Sequence, residues 1–93
     1  MTNQASRATR LETALRQAFS PALLEVEDES ARHAGHAGAR DGGETHYQVT
    51  IVSESFTNIK RVDRSRMVHN ALSNEFAIGL HALSLNLRSP SEV

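Results

Sequence analysis

A chain of 93 residues with 39% apolar content has room for one small domain with a thin hydrophobic core. Its formal net charge of −1 provides no overall attraction to nucleic acid or to an anionic membrane. The chain has no cysteine, which excludes disulfides, a thiolate nucleophile and a self-contained metal site built on cysteine. No secretory signal or membrane-length apolar run is visible, so we expect a cytoplasmic protein that does not bind a membrane.

The first half of the chain predicts a helix followed by two strands. Apolar residues recur every three or four positions over 6–19, which is the pattern of an amphipathic helix, and Thr9 with Glu12 could form its capping box. A short strand is predicted over 23–27. A second strand begins at His46, where apolar and polar residues alternate strictly.

The second half predicts one helix and one strand. Asp63 can cap a helix whose natural stop is Gly79, and a short extra helical turn is expected near Ile59. Residues 81–88 alternate strictly and predict the last strand. The order α-β-β-α-β indicates an α+β sheet with helices on one face.

The loop predicted between the first two strands, about 29–44, is unusually long for a compact domain of 1–93. Loops of this length are usually functional or disordered, so its length alone makes it a candidate site. It contains His33 and His36, which are either solvated loop residues or partners for a metal ligand elsewhere in the chain.

The remaining histidines differ in what their positions indicate. His81 opens the last strand, and it is either a partly buried imidazole bonded to a nearby carbonyl or a metal ligand whose partner comes from the long loop. His46 begins a strong strand and is predicted to be structural. His69 lies off the apolar stripe of its helix, and we expect it to be an exposed surface residue.

The run "KRVDRSR" is the one concentrated basic patch of the sequence. It places Lys60, Arg61, Arg64 and Arg66 at the start of a helix, where backbone N–H groups already attract anions. The patch could bind phosphate or an acidic partner surface, or it could be a plain solvated helix start. No carboxylate pair, catalytic triad or phosphate loop occurs, so the sequence does not predict an enzyme.

Three stretches, "GETHYQVTIVSESF", "RSRMVHNALSNEF" and "GLHALSLNLRSP", in this order and spacing, resemble the BolA family. With "LEVEDES" ahead of the loop, the resemblance extends over 6–91. It implies an α-β-β-α-α-β fold of the class II KH type, in which helices pack on one face of a three-stranded mixed sheet.

The same resemblance implies a role beside a monothiol glutaredoxin, in iron–sulfur cluster trafficking or maturation, or in iron sensing. A [2Fe–2S] cluster would be bridged between the two proteins, with the glutaredoxin cysteine and a glutathione thiol on one side. On the other side the family pattern assigns His81 and a loop histidine, His33 or alternatively His36. No cofactor is expected in the isolated protein.

The family is also described as transcriptional regulators, here of stress or morphology genes, which gives an alternative function. The KH-like fold would then bind nucleic acid, with Arg61, Arg64 and Arg66 on phosphates. The near-neutral charge, the shortage of aromatic residues and the absence of a G-x-x-G loop between helices count against DNA as the main partner. The sequence leaves open whether the chain also forms a homodimer.

Two positions depart from the family pattern. Near Asn58 the family often has glycine, and asparagine tolerates the left-handed backbone that such a turn requires. The family often carries a histidine where this chain has Ser65, which weakens any metal-binding role for this helix start.

Overall fold

The computed structural model describes residues 6–29 and 46–93 of the chain. Its helices and strands, in chain order, are α1 (Arg7–Phe19), β1 (Leu23–Asp28), β2 (His46–Val52), α2 (Arg61–Ala71), α3 (Ser73–Ala77) and β3 (Ala82–Arg88). Short 3₁₀ turns lie at Glu54–Phe56 and Pro90–Glu92. The predicted α+β fold is confirmed, with the α-β-β-α-α-β order that the family resemblance implies.

The three strands form one mixed sheet in the order β1-β2-β3, so β2 is the central strand. β1 and β2 are antiparallel, whereas β2 and β3 are parallel. A parallel pair needs a crossover connection, and α2 with α3 provides it. The amino end of β2 and the amino end of β3 therefore lie at the same end of the sheet.

The hydrophobic core lies between one face of the sheet and the helices. Strict alternation in β2 buries Tyr47, Val49 and Ile51 and leaves His46 and Gln48 exposed, as the sequence predicts. The core residues packed around this strand come from the helices and their connections: Leu11, Leu15, Phe19, Phe56, Val68, Leu72 and Leu80. The opposite face of the sheet carries mostly exposed side chains.

Both predicted helix caps are wrong by three residues. Ser6 caps α1, since its Oγ accepts a hydrogen bond from the backbone N–H of Thr9 at 3.2 Å, so Thr9 and Glu12 lie inside the helix. α2 begins at Arg61 after Lys60, and Asp63 lies in its first turn, where a carboxylate still interacts favourably with the helix dipole.

The predicted second helix is two helices, because the chain leaves the regular helical path at Leu72, which has φ −106° and ψ 16°. The extra helical turn occurs at Glu54–Phe56, a few residues before the predicted place near Ile59. Asn58 has a φ of 63°, so the left-handed turn expected there is present.

β1 ends one residue later than predicted, and the backbone N–H of Glu29 still donates to the carbonyl of His46 at 2.8 Å. Of the predicted loop 29–44, only Glu29 is among the described residues, so His33 and His36 lie outside them. No helix in 6–29 or 46–93 is long and apolar enough to cross a lipid bilayer.

Candidate functional site

His81 lies in the connection between α3 and β3, one residue before the strand begins, and its side chain is exposed. Gly79 turns the chain here with a φ of 128°, and Leu80 anchors it in the core at 3% exposure. A shallow cavity of about 460 Å³ beside the imidazole is lined by α3 and this connection. The side chain is therefore accessible to another molecule while its backbone is held in place.

His46 and His81 lie side by side at the end of the sheet. Their ring centroids are 5.9 Å apart, with the ring planes inclined at 49°. The parallel register explains the contact, because His46 is the partner of Ala82, the residue next to His81. His46 holds the sheet position predicted for it, but its exposed ring also belongs to this surface, which the sequence prediction missed.

Residues 30–45 are joined to the sheet at the same end. Glu29 precedes them and His46 follows them, and these two residues are hydrogen-bonded to each other across β1 and β2. His81 is one further strand away. The two imidazoles therefore stand next to the attachment points of the segment that contains His33 and His36.

The donors at this end of the sheet are incomplete as a metal site. Within 6–29 and 46–93, no group of three or more histidine, cysteine, aspartate or glutamate side chains is placed to hold a metal ion. Two imidazoles hold a transition metal well only when further ligands complete the coordination. Those ligands would have to come from 30–45 or from another molecule.

His69 is not part of this arrangement. It is exposed on α2, as the sequence predicts, and its ring stacks on Phe76 with the centroids 5.1 Å apart. Its Nδ1 lies 2.9 Å from the backbone carbonyl of Ser65. His69 therefore provides a natural control for experiments on His81.

The basic run at the start of α2 divides into exposed and internal cations. Lys60, Arg61 and Arg66 are exposed, and Arg66 lies 3.3 Å from Asp63. Arg64 is only 6% exposed. The four side chains predicted to bind an anion therefore do not form a single surface.

Arg64 links α2 by hydrogen bonds to the end of β3 and to the 3₁₀ turn at Pro90–Glu92. Its guanidinium donates to the carbonyls of Ile59 at 2.8 Å and Leu87 at 3.0 Å, and its two Nη atoms form a bidentate pair with Glu92 at 2.7 and 3.1 Å. Hydrogen bonds from Arg64 and from the backbone of Ser89 lower the pKa of Glu92 to about 2. These bonds occupy the guanidinium inside the fold.

A second ionic cluster joins α1 to α3 and was not predicted from the sequence. Glu75 is 8% exposed and accepts hydrogen bonds from Arg10 at 2.8 Å and from Arg7 at 3.0 Å. The bonds from Arg10, and to a smaller extent those from Arg7, lower the pKa of Glu75 below its ordinary value. Arg7 also donates to the carbonyl of Ile78, close to the turn that presents His81.

A groove of about 650 Å³ runs between the first turns of α2 and the second half of β3. Its lining residues are Arg61, Arg64, Ser65, Leu85, Asn86, Leu87, Arg88 and Glu92. The groove lies on the far side of β3 from β2, well away from the two imidazoles. In the described part of the chain it is a second surface, besides the imidazole pair, that presents charged and apolar side chains to a partner.

The sequence matches the family model described as "BolA-like protein" over residues 15–92. It is 44% identical to "Protein BOLA1, chloroplastic" of Arabidopsis thaliana, covering 94% of this chain and 56% of that protein. It is also 44% identical to "SufE-like protein 1, chloroplastic/mitochondrial" of the same plant, covering 95% of this chain and 25% of that protein. The chain thus spans about half or less of the length of these two relatives.

Among bacterial relatives, the chain is 43% identical to "DNA-binding transcriptional regulator BolA" of Escherichia coli, covering 83% of this chain and 70% of that protein. Among solved structures, the fold is similar to the BolA domain of SufE1 from Arabidopsis thaliana. The TM-score is 0.84 at 41% identity, and the match covers 98% of this chain and 100% of that one.

Proposed function

This chain belongs to the BolA family, which is non-enzymatic, and on that premise we propose that it is an adaptor that shares a [2Fe–2S] cluster with a monothiol glutaredoxin. The cluster is cargo in trafficking, maturation or iron sensing. Its ligands from this chain are His81 and one histidine of the long loop, His33 or His36. The glutaredoxin cysteine and a glutathione thiol supply the other side.

The observation that carries this proposal is the exposed imidazole pair at the end of the sheet. His81 presents an accessible ring from a connection anchored by the buried Leu80, and His46 lies 5.9 Å from it, centroid to centroid. A ligand for a cluster that is shared with a second protein must be exposed in the isolated protein. His81 meets this requirement.

The chain length allows a loop histidine to reach His81. Glu29 lies beside His46, and His81 lies about two strand spacings away, on the order of 10 Å. His33 follows Glu29 by a segment that can extend to about 14 Å, and the segment to His36 can extend to about 25 Å. Both candidates can therefore meet a cluster placed at His81.

The donor chemistry supports a shared cluster over a private one. The chain has no cysteine, so its ligands are nitrogen or oxygen donors and the thiolates must come from the partner. Histidine in place of cysteine on one iron raises the reduction potential. This property suits transfer or sensing.

The test is a titration of cluster-loaded monothiol glutaredoxin with this protein, followed by absorbance and visible circular dichroism. We expect a spectral change that saturates at a fixed stoichiometry and is lost with His81→Ala. His69→Ala is the matched control, because it removes another exposed imidazole from α2 and should leave the titration unchanged. Unchanged spectra with His81→Ala would remove His81 from the ligand set.

DNA binding is the alternative function, favoured by the name of the Escherichia coli relative and by the exposed cations Lys60, Arg61 and Arg66. Arg64 is occupied by Glu92, so three side chains are left to contact phosphates. This alternative predicts salt-dependent binding whose slope becomes shallower in an Arg61→Ala/Arg66→Ala variant. No binding at about 50 mM salt would discard it.

The cytoplasmic location stays a prediction, since the names of the two Arabidopsis relatives place them in chloroplasts or mitochondria. Homodimer formation is likewise a question for experiment. Sedimentation of the isolated protein at several concentrations would answer it directly.

A further inference from the structure

We propose that the outer edge of β3 is a docking site for an extended acidic peptide, which adds to the sheet as a fourth strand. The site is the groove between α2 and β3, whose lining includes Arg61, Leu85 and Arg88. This inference goes beyond the proposed cluster role, because it concerns a different edge of the sheet and a different kind of partner.

The backbone of β3 alternates between the two sides of the strand. The carbonyl of Arg88 accepts a hydrogen bond from the backbone N–H of Ser53, on the side of β2, whereas the carbonyl of Leu87 points the other way and accepts from Arg64. In a parallel pair every second residue directs both its N–H and its C=O to the same side. The backbone groups of Leu83 and Leu85 therefore point outward, away from β2, and Leu85 lines the groove.

Those outward groups are available to a partner strand. The sheet order is β1-β2-β3, so within 6–29 and 46–93 no strand pairs with the outer edge of β3. An exposed edge with unpaired N–H and C=O groups is the template that β-augmentation uses, and main-chain hydrogen bonds then supply much of the affinity.

The charge of the groove selects an acidic partner. Three arginines and one glutamate line it, and that glutamate is already paired with Arg64. Arg61 and Arg88 are exposed, and although Nε of Arg88 donates to Oδ1 of Asn86 at 3.2 Å, its Nη atoms can still contact a ligand. Arg88 lies on the face of the sheet opposite the helices, whereas Arg61 lies on α2. A carboxylate on either face of an added strand can therefore pair with one of the two arginines.

The same lining disfavours a nucleic acid. It contains no aromatic side chain on which a base could stack. Leu85 and Leu87 add partly buried apolar surface that suits a side chain of a peptide strand. The groove volume of about 650 Å³ is in the range of ordinary ligand clefts.

The groove and the imidazole pair are separate along β3. Leu85 follows His81 by about 13 Å of extended strand, and Arg88 lies further still. Peptide binding is therefore expected to persist in His81→Ala, and a failed cluster titration would leave this proposal intact. The two functions can be tested independently in the same preparation.

The experiment uses a fluorescein-labelled synthetic peptide of about eight residues, which is a typical strand length. Its sequence repeats two glutamates followed by two threonines, so that both faces of the strand carry glutamate. Binding to the full chain is followed by fluorescence anisotropy. We expect Arg61→Glu/Arg88→Glu to weaken binding by at least about tenfold, because two attractive charge contacts become repulsive. Arg16→Glu, a single reversal at an exposed position of α1, is the charge control and should have little effect.

Two N-methylated forms of the peptide test the strand geometry. Methylation of one alternate set of amides removes the donors that face β3 and should abolish binding, whereas methylation of the other set should be tolerated. Amide NMR should show perturbed resonances and slowed exchange at Leu83 and Leu85. The proposal is overturned if both methylated peptides bind equally well, if the labelled peptide does not bind, or if a short oligonucleotide replaces it at Arg61 and Arg88.

Discussion

The imidazoles of His46 and His81 lie 5.9 Å apart, centroid to centroid, because His46 opens β2 and His81 directly precedes β3, its parallel neighbour. Neither ring is buried, so the pair is a surface feature and makes little contribution to the core. Any ligand that approaches His81 also meets the ring of His46. Among the described residues, the pair therefore gives this end of the sheet two exposed imidazoles.

His46→Ala should weaken the mixed complex with cluster-loaded glutaredoxin several-fold while preserving its histidine-type spectrum. The reason is that His46 supports the surface around His81 without being an assigned ligand. Because the side chain is exposed, we expect the free energy of unfolding to change by less than about 0.5 kcal/mol. Visible circular dichroism and urea denaturation measure the two effects. Loss of the spectrum itself would instead make His46 a ligand.

His33→Ala and His36→Ala should differ in their effect, because only one loop ligand is required. The family pattern favours His33 and leaves His36 as the alternative, so substitution of His33 should shift the visible spectrum of the shared cluster and speed cluster loss. His36→Ala should leave both unchanged. The opposite result would transfer the assignment to His36, and loss only in the double variant would mean that either histidine can serve.

The sequence predicted those features that depend on local periodicity. Alternation in β2 fixed which residues face the core, and the three-to-four-residue repeat located α1. The cap of α1 was misplaced because Ser6 and Thr9 can both accept from the first backbone N–H groups, and Ser6 does so. α2 begins after Lys60 with no side-chain cap hydrogen bond, so no capping residue marks its start.

The relationships that the sequence did not predict are between residues distant in the chain. The contact of His46 with His81 depends on the parallel register of β2 and β3, which no local pattern encodes. The pairing of Glu75 with Arg7 likewise requires α1 and α3 to lie side by side. Resemblance to a family supplied the arrangement of the strands, but not these side-chain contacts.

Glu75→Gln should destabilise the protein by about 2 kcal/mol, because it removes the negative charge that satisfies two arginines, one of them buried. Urea denaturation followed by far-UV circular dichroism measures the change. Glu25→Gln makes the same substitution at an exposed position of β1 and should alter stability far less. Equal effects of the two substitutions would contradict a structural role for the ion pairs of Glu75 with Arg7 and Arg10.

Stability should fall as the pH is lowered from about 4.5 to 2, and Glu92 should contribute to this fall. Its pKa is lowered from 4.5 to about 2 in the folded protein, so the unfolded chain binds a proton more readily in this range. The stabilisation is complete above the unfolded pKa and is lost as the pH falls through the folded one. The lowered pKa of Glu75 acts in the same direction.

The variant Glu92→Gln separates the contribution of Glu92 to acid sensitivity from that of Glu75. The variant should be less stable than the parent at pH 6, and the difference should shrink towards pH 2, where the parent carboxylate is also protonated. Thermal unfolding at several pH values measures the difference. A constant difference across this range would show that the charge of Glu92 is not what stabilises the fold.

Gly79→Ala should destabilise the protein by about 2 kcal/mol, because its φ of 128° is strained for a residue with a side chain. The added Cβ would also lie 3.1 Å from Nη2 of Arg7, an atom already bonded to the carbonyl of Ile78. Asn58→Gly is the control, since it relieves a left-handed position and should preserve stability within about 0.5 kcal/mol. Urea denaturation compares the two variants. If Gly79→Ala were as stable as the parent, the turn that presents His81 would not depend on glycine.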